Sequence, residues 1–340
     1  MNRKLRLIFS FIFIAGSIAL LPVLVNKTGK QIERFETKIY QKISGKRPQH
    51  VQYDSTGIPV VVYEGKLSKQ YNIVTVAEQA ISLSDENNII NNRNFYSCID
   101  WLSNNNSILN DSSIIYLNYY NWPSYNMTSP WRSAMNQGRA MQAFLKAYQK
   151  SGDSKYLNLA RKSMNTLYTE VREGGVTYKD TAGYWYEEYA DDSVPESRVL
   201  NGMIVVLQAL SDFYKITENQ DALFLFNKGI KAVKRTLYLY DDNGHSNYDI
   251  LGKPASPWYH RFHIELLGFI YSETNEPVFN EYKQKWVQYK EPSYLGALIK
   301  KPTRIGVFVV FSSFVTVLLI ISLVSHFIWF RRKKIEKFNN

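Results

Sequence analysis

The sequence predicts a mostly α-helical protein: an α/α toroid of about four helical pairs with a small N-terminal β-hairpin, flanked by two transmembrane helices. Three observations carry this. Apolar residues recur at three- and four-residue spacing in eight separate stretches. The linkers between those stretches alternate between short turns and longer loops rich in Gly, Tyr and acidic residues. That is the pattern of helical pairs whose long loops gather at one end. Finally, an apolar run of about 20 residues, enough to cross a hydrocarbon core, stands at each end of the chain.

The ends define the layout. Leu7–Val25 is apolar apart from Ser10 and Ser17, and follows Arg3, Lys4 and Arg6. A cleaved signal peptide is the alternative, but no small-x-small cleavage site follows Leu21, so an uncleaved anchor is expected over residues 1–26. Residues 27–50 read as a polar stalk, 51–292 as the folded domain, 304–330 as a second transmembrane helix and 331–340 as a basic tail. Basic clusters lie outside both spans, which puts both termini in the cytoplasm and the domain outside it.

The net charge of +11 belongs mainly to these flanks. The N-terminal cluster holds +3, the tail +4, and Lys300, Lys301 and Arg304 +3, which leaves +1 for the rest. A domain so nearly neutral gives no support to nucleic-acid binding. The single cysteine, Cys98, cannot form an internal disulfide. Its spacing fits a buried helix position, and zinc sites of the CxxC type are excluded.

Within the domain, Val51–Tyr63 reads as a hairpin turning at Asp54–Pro59. Helices are expected over Tyr71–Leu83, Asn94–Leu102, 130–150, Lys155–Val171, Glu196–Lys215, Gln220–Leu239, Trp258–Glu273 and Pro277–Tyr289. A strand-like stretch, Ser113–Tyr120, interrupts them.

Three segments carry candidate chemistry. In Gly183–Tyr189, Glu187 and Glu188 lie among four aromatic residues. Burial beside rings and an adjacent like charge both raise a carboxyl pKa, which suits a general acid or base. A solvated loop with its rings packed on the core reads equally well. In Asn247–Ile264, Tyr248, Tyr259, His260, Arg261 and His263 cluster about one helix start. Tyr259 and His263, four apart, share a face. No third ligand stands at metal spacing, so no metal is expected, and each histidine taken singly reads as a structural hydrogen-bonded residue. In Ser129–Gly138, Arg132 can fork onto a carboxylate and Asn136 and Gln137 can bond sugar hydroxyls. Helix capping and packing is the alternative there.

Together and in this order, Ser129–Gly138, Trp185–Tyr189, Val199–Gly202, Tyr248–Asp249 and Trp258–Leu266 resemble the C-terminal catalytic domain of the D-glucuronyl C5-epimerases. The resemblance covers roughly residues 50–290. It implies an α/α barrel and conversion of D-glucuronyl to L-iduronyl residues in heparan- or heparosan-like polysaccharides. It further implies that Glu188 and Tyr259 flank C5 as an acid/base pair, assisted by Tyr189 and Tyr248. Arg132, Asn136, Gln137, Glu187, Asn201, His260, Arg261 and His263 would contact or support the substrate, and no cofactor is needed. The chain departs from the animal enzymes after Tyr248, where it reads Asp-Ile-Leu251 in place of a nearby arginine, and it leaves no room for their larger β-sandwich. Other outcomes on the same fold are a uronate polysaccharide lyase, a hydrolase, or a membrane-held glycan-binding protein without activity.

Overall fold

The computed structural model describes residues 19–29, 31, 50–63, 67–85, 89–289, 295, 298–299 and 304–338. The chain divides into two units, residues 48–289 and the terminal segments 1–47 with 290–340.

The larger unit opens with β1 (His50–Tyr53) and β2 (Pro59–Val62), antiparallel in the register Tyr53↔Pro59, and β3 (Lys69–Gln70) extends the sheet. Asp54 shapes the turn: its Oδ1 accepts from the N–H groups of Thr56 (2.8 Å) and Ile58 (3.0 Å). Gly57 supplies the left-handed residue, φ +84°. β2 rests on the first helix, as an otherwise marginal small sheet requires.

Helices follow in pairs: α1 (Ile73–Leu83) with α2 (Ile89–Asn104), α3 (Ala134–Ser151) with α4 (Ser154–Asn165), α5 (Leu200–Thr217) with α6 (Gln220–Thr236), and α7 (Pro257–Thr274) with α8 (Pro277–Val287). Pair members join by tight turns at left-handed residues such as Gly152, Glu218 and Asn275. The first helices also pack on one another, α1 on α3, α3 on α5 and α5 on α7. α5 is buried nearly all round, from Leu200 to Phe213, as befits a helix covered by neighbours on several sides. Cys98 is fully buried on α2, and burial pushes its thiol up to about 12.

Long loops precede α3, α5 and α7. They carry short antiparallel ladders: β4 (Ser107–Asn110) with β5 (Ser113–Ile115), β6 (Leu117–Asn118) with β7 (Trp131–Arg132), β8 (Thr177–Asp180) with β9 (Gly183–Tyr186), and β10 (Asp241–Asp242) with β11 (His245–Ser246). Several helix boundaries differ from expectation: α2 begins at Ile89 rather than Asn94 and α5 at Leu200 rather than Glu196, and two further differences have a plain cause. Trp131 and Arg132 are strand, because they pair with Asn118 and Leu117 and bridge to Ala190, so α3 starts only at Ala134. α4 ends at Asn165, and 3₁₀ turns at Thr166–Tyr168 and Val171–Glu173 replace its expected last turn.

In the terminal unit residues 19–29 are helical. The rest of the expected N-terminal anchor and most of the stalk lie outside the described residues. The C-terminal helix, α9 (Arg304–Phe338), contains the span Gly306–Val324 of mean hydropathy 2.8, and among the described residues it alone is long and apolar enough to cross a membrane. It continues through the basic cluster after Phe330, where a separate tail was expected. Arg, Lys and Glu are good helix formers and nothing there breaks the helix.

Candidate active site

The loop after β9 is sewn to the start of α3: Ala134 N–H donates to the Glu187 carbonyl (2.8 Å) and Ala190 N–H to the Arg132 carbonyl (3.1 Å). The Glu187 side chain is fully buried and has three donors. Oε1 accepts from the Ser197 hydroxyl (2.8 Å) and Tyr189 N–H (3.2 Å), and Oε2 from Arg198 N–H (2.8 Å). Burial raises its pKa and these hydrogen bonds oppose the rise. Glu187 thus staples the loop that carries its neighbours to the segment leading into α5.

Glu188 turns the other way. Its Oε2 is buried over Gly202, in the first turn of α5, and has no hydrogen-bond partner among the described residues. Burial pushes its carboxyl up to about 7. The Tyr189 and Tyr248 hydroxyls and the Lys253 charge favour the ionised form, while Glu187 disfavours it.

Around Glu188 stand tyrosines from three loops. Tyr189 stacks on Tyr125 (centroids 4.2 Å, 21°) and lies 5.7 Å from Trp131. Tyr248 meets Tyr259, near the start of α7, edge-on at 4.7 Å. Tyr125, Tyr189, Tyr248 and Tyr259, with Trp122 and Lys253, line a cavity of about 280 Å³. Burial first, and then the charge of Glu188, raise the phenol pKa values of Tyr189, Tyr248 and Tyr259. These phenols are therefore proton donors at neutral pH, beside a carboxyl that titrates there.

The backbone explains why these groups meet. Leu200 N–H donates to the Tyr248 carbonyl (3.1 Å) and Ile250 N–H to the Ser197 carbonyl (3.1 Å), so the loop before α7 is tied to the start of α5. Asn72, the N-cap of α1, donates to the hydroxyls of Tyr63 (3.0 Å) and Tyr120 (2.9 Å) at the same end.

The remaining candidates divide. Arg132 stands apart. Residues on a strand alternate faces, so Trp131 faces Tyr189 while the Arg132 guanidinium donates to the Val171 carbonyl (2.9 Å). Gln137 is buried against β5: its amide donates to the Ile114 carbonyl (3.3 Å) and accepts from Tyr116 N–H (3.0 Å). Asn136 and Asn201, in the first turns of α3 and α5, are buried; Asn136 Nδ2 and Asn201 Oδ1 have no partner among the described residues. Arg261 is exposed on α7.

His260 and His263 belong to a buried network under α7. The Trp286 carbonyl only accepts, so His260 carries its proton on Nε2 (3.1 Å). Its Nδ1 accepts from the Ser246 hydroxyl (2.9 Å) and backbone N–H (3.1 Å). The Ser246 oxygen then accepts from Nδ1–H of His263 (2.9 Å). Burial, then the neighbouring histidines, push His263 down to about 3, so it stays neutral. Among the described residues no three His, Cys, Asp or Glu groups could together hold a metal ion.

Sequence reasoning missed Tyr125 and Lys253. The run Asp249-Ile-Leu-Gly-Lys253 carries a turn signal that would have curled Lys253 back toward Tyr248. Nothing local marks Tyr125, which is 64 residues from its stacking partner Tyr189.

A family model described as D-glucuronyl C5-epimerase C-terminus matches residues 110–288, more than half of the chain and every residue lining the cavity. The chain belongs to this family. It is 29% identical over 214 residues to the D-glucuronyl C5-epimerase of Caenorhabditis elegans, covering 57% of this chain and 34% of that protein. It is 33% identical over 181 residues to an uncharacterized protein of Methanocaldococcus jannaschii, covering 52% and 58%. The chain thus spans less than two thirds of the length of either relative. Among solved structures, the cellobiose 2-epimerase of Bacillus thermoamylovorans superposes with a TM-score of 0.53 at 13% identity, over 82% of this chain and 75% of that one. That is a likeness of fold.

Proposed function

We propose that this C5-epimerase-family chain interconverts D-glucuronyl and L-iduronyl residues within a polysaccharide, without a cofactor. The observation that carries this reading is the buried Glu188 carboxyl, set over Gly202 with an oxygen that has no partner among the described residues, beside the cavity lined by Tyr189, Tyr248 and Tyr259; burial raises its pKa to about 7. A base and an acid matched to neutral pH are what proton exchange at a carbon acid needs.

The reaction runs in two proton transfers. The Glu188 carboxylate takes the C5 proton, and the electron pair moves into the adjacent carboxylate to give an enolate. Tyr259 then returns a proton to C5 from the opposite face. Proton uptake by Glu188 removes a charge that holds the Tyr259 phenol protonated, so the first transfer makes the acid for the second stronger. Tyr189 and Tyr248 hydrogen-bond the reacting carboxylate or Glu188. Asn136 offers an unpartnered amide donor, Nδ2, at the start of α3, a helix end that favours negative charge. An enolate there would gain that stabilisation without reorganisation.

In this reading residues 51–292 form the catalytic domain, and the four helical pairs are the wall of an α/α toroid. The span Gly306–Val324 fixes it to a membrane with the domain exported and both termini cytoplasmic. The family relationship favours a heparosan-like glycosaminoglycan, as in heparan sulfate biosynthesis.

The product tests the reaction class. Full-length protein incubated with heparosan should generate L-iduronyl signals by NMR with the polymer length unchanged. Unsaturated uronate would instead identify a lyase, and new reducing ends a hydrolase.

A further inference from the structure

Lys253 is the one charged residue among those lining the cavity. Its ammonium lies 4.9 Å from the ring centroid of Tyr125 and 5.2 Å from that of Tyr248. It makes no ion pair among the described residues. Three other cations are engaged elsewhere: Arg132 donates to a backbone carbonyl, Arg139 pairs with Glu78, and Arg198 pairs with Asp180 and Glu196.

The position of Lys253 is built. Asp249, 1% exposed, accepts at Oδ1 from the N–H groups of Leu251 (3.0 Å) and Lys253 (3.1 Å). Its Oδ2 accepts from the Tyr125 hydroxyl (2.5 Å). Gly252, with φ +84°, closes the turn between them. One buried carboxylate therefore fixes both the backbone that presents the lysine and a ring beneath it. The ring faces take up one side of the ammonium and leave its other N–H groups for a ligand.

We propose that Lys253 binds the carboxylate of the sugar in the cavity and makes the site selective for acidic over neutral sugars. This inference rests on the reading of the cavity as a uronyl site. It supplies the cation that the Tyr248-Asp-Ile-Leu251 stretch lacks. As the C5 proton leaves, negative charge grows on the carboxylate oxygens, so the contact strengthens toward the transition state and acts on kcat as well as on KM.

The test compares heparosan with carboxyl-reduced heparosan, its neutral counterpart, on full-length protein. Binding is read by calorimetry and C5 exchange by NMR. Wild type should prefer the acidic polymer by about tenfold or more. Lys253→Gln should lose that preference because heparosan binds more weakly while affinity for the reduced polymer is unchanged, its C5 exchange at saturating heparosan should also slow, and Lys253→Arg should restore part of both. An undiminished preference in Lys253→Gln would overturn the proposal, as would a wild type that does not distinguish the polymers. A Lys253-dependent preference without C5 exchange in wild type would support the carboxylate contact and remove the epimerase reading beneath it.

Discussion

The Glu188 carboxyl occupies the space that a side chain at Gly202 would fill. Gly202 lies in the first turn of α5, where glycine is a poor helix former. Its value is the room it leaves. Gly202→Ala should therefore cut C5 exchange by about tenfold or more by displacing Glu188. It should also lower the melting temperature, since the added methyl would crowd the Glu188 Cβ as well as its carboxyl, an overpacking of about 1–3 kcal/mol that improved helix propensity of roughly 0.5–1 kcal/mol offsets only in part. Parallel exchange and thermal unfolding measurements check this.

Glu188 links activity and stability to pH. Its carboxyl rises from 4.5 to about 7 on folding. Between those values the folded protein holds a proton that the unfolded chain has lost, so stability falls as pH rises through that window. Glu188→Gln removes this penalty and should be the more stable protein above about pH 7, by on the order of 3 kcal/mol. It should also lose about 10²–10⁴-fold in kcat/KM. The wild-type kcat/KM should rise with pH around 7 as the base form appears. Denaturant titrations and rate profiles from pH 5 to about 9 read both.

Glu187 should behave in the opposite sense. Its three donors are left buried and unsatisfied when the carboxylate is removed. Glu187→Ala should cost roughly 3–5 kcal/mol of stability and abolish activity by releasing the loop. Urea unfolding separates this from the stability gain expected at Glu188.

The network under α7 gives an acid-sensitive element. His263 is held neutral down to about 3, against 6.5 in the unfolded chain. Below 6.5 the unfolded state binds the extra proton, so stability is fully present above that pH and falls as the pH drops toward 3. Ser246→Ala, which removes the hydroxyl bridging His260 and His263, should cost about 1–3 kcal/mol at pH 7. His263→Gln should flatten the loss of stability on acidification. Thermal melts at stepped pH measure both effects.

The helical pairs were legible because apolar periodicity is local: Ile73, Val76, Ala77 and Ala80 declare the buried face of α1 without reference to any distant residue. Trp131 and Arg132 were misread because their conformation is set by Asn118, Leu117 and Ala190, which no window around them contains. The same holds within the site. The Glu188–Tyr189 and Tyr248–Tyr259 segments were visible as unusual composition. The separate duties of Glu187 and Glu188 were not, since they depend on Ser197 and Arg198 on one side and Gly202 on the other. Lys253 escaped notice because its place is fixed by a contact between Asp249 and Tyr125, 124 residues apart.

Deuterium incorporation at C5 of heparosan tests the central claim most directly. Full-length wild type, Glu188→Gln and Tyr259→Phe would each be incubated with the polymer in deuterated water and read by NMR. The account predicts C5 deuterium in both glucuronyl and iduronyl residues with wild type, and a loss of about 10²-fold or more in each variant. Exchange that survives in both variants, or its absence with wild type on every uronate polymer tried, would contradict it.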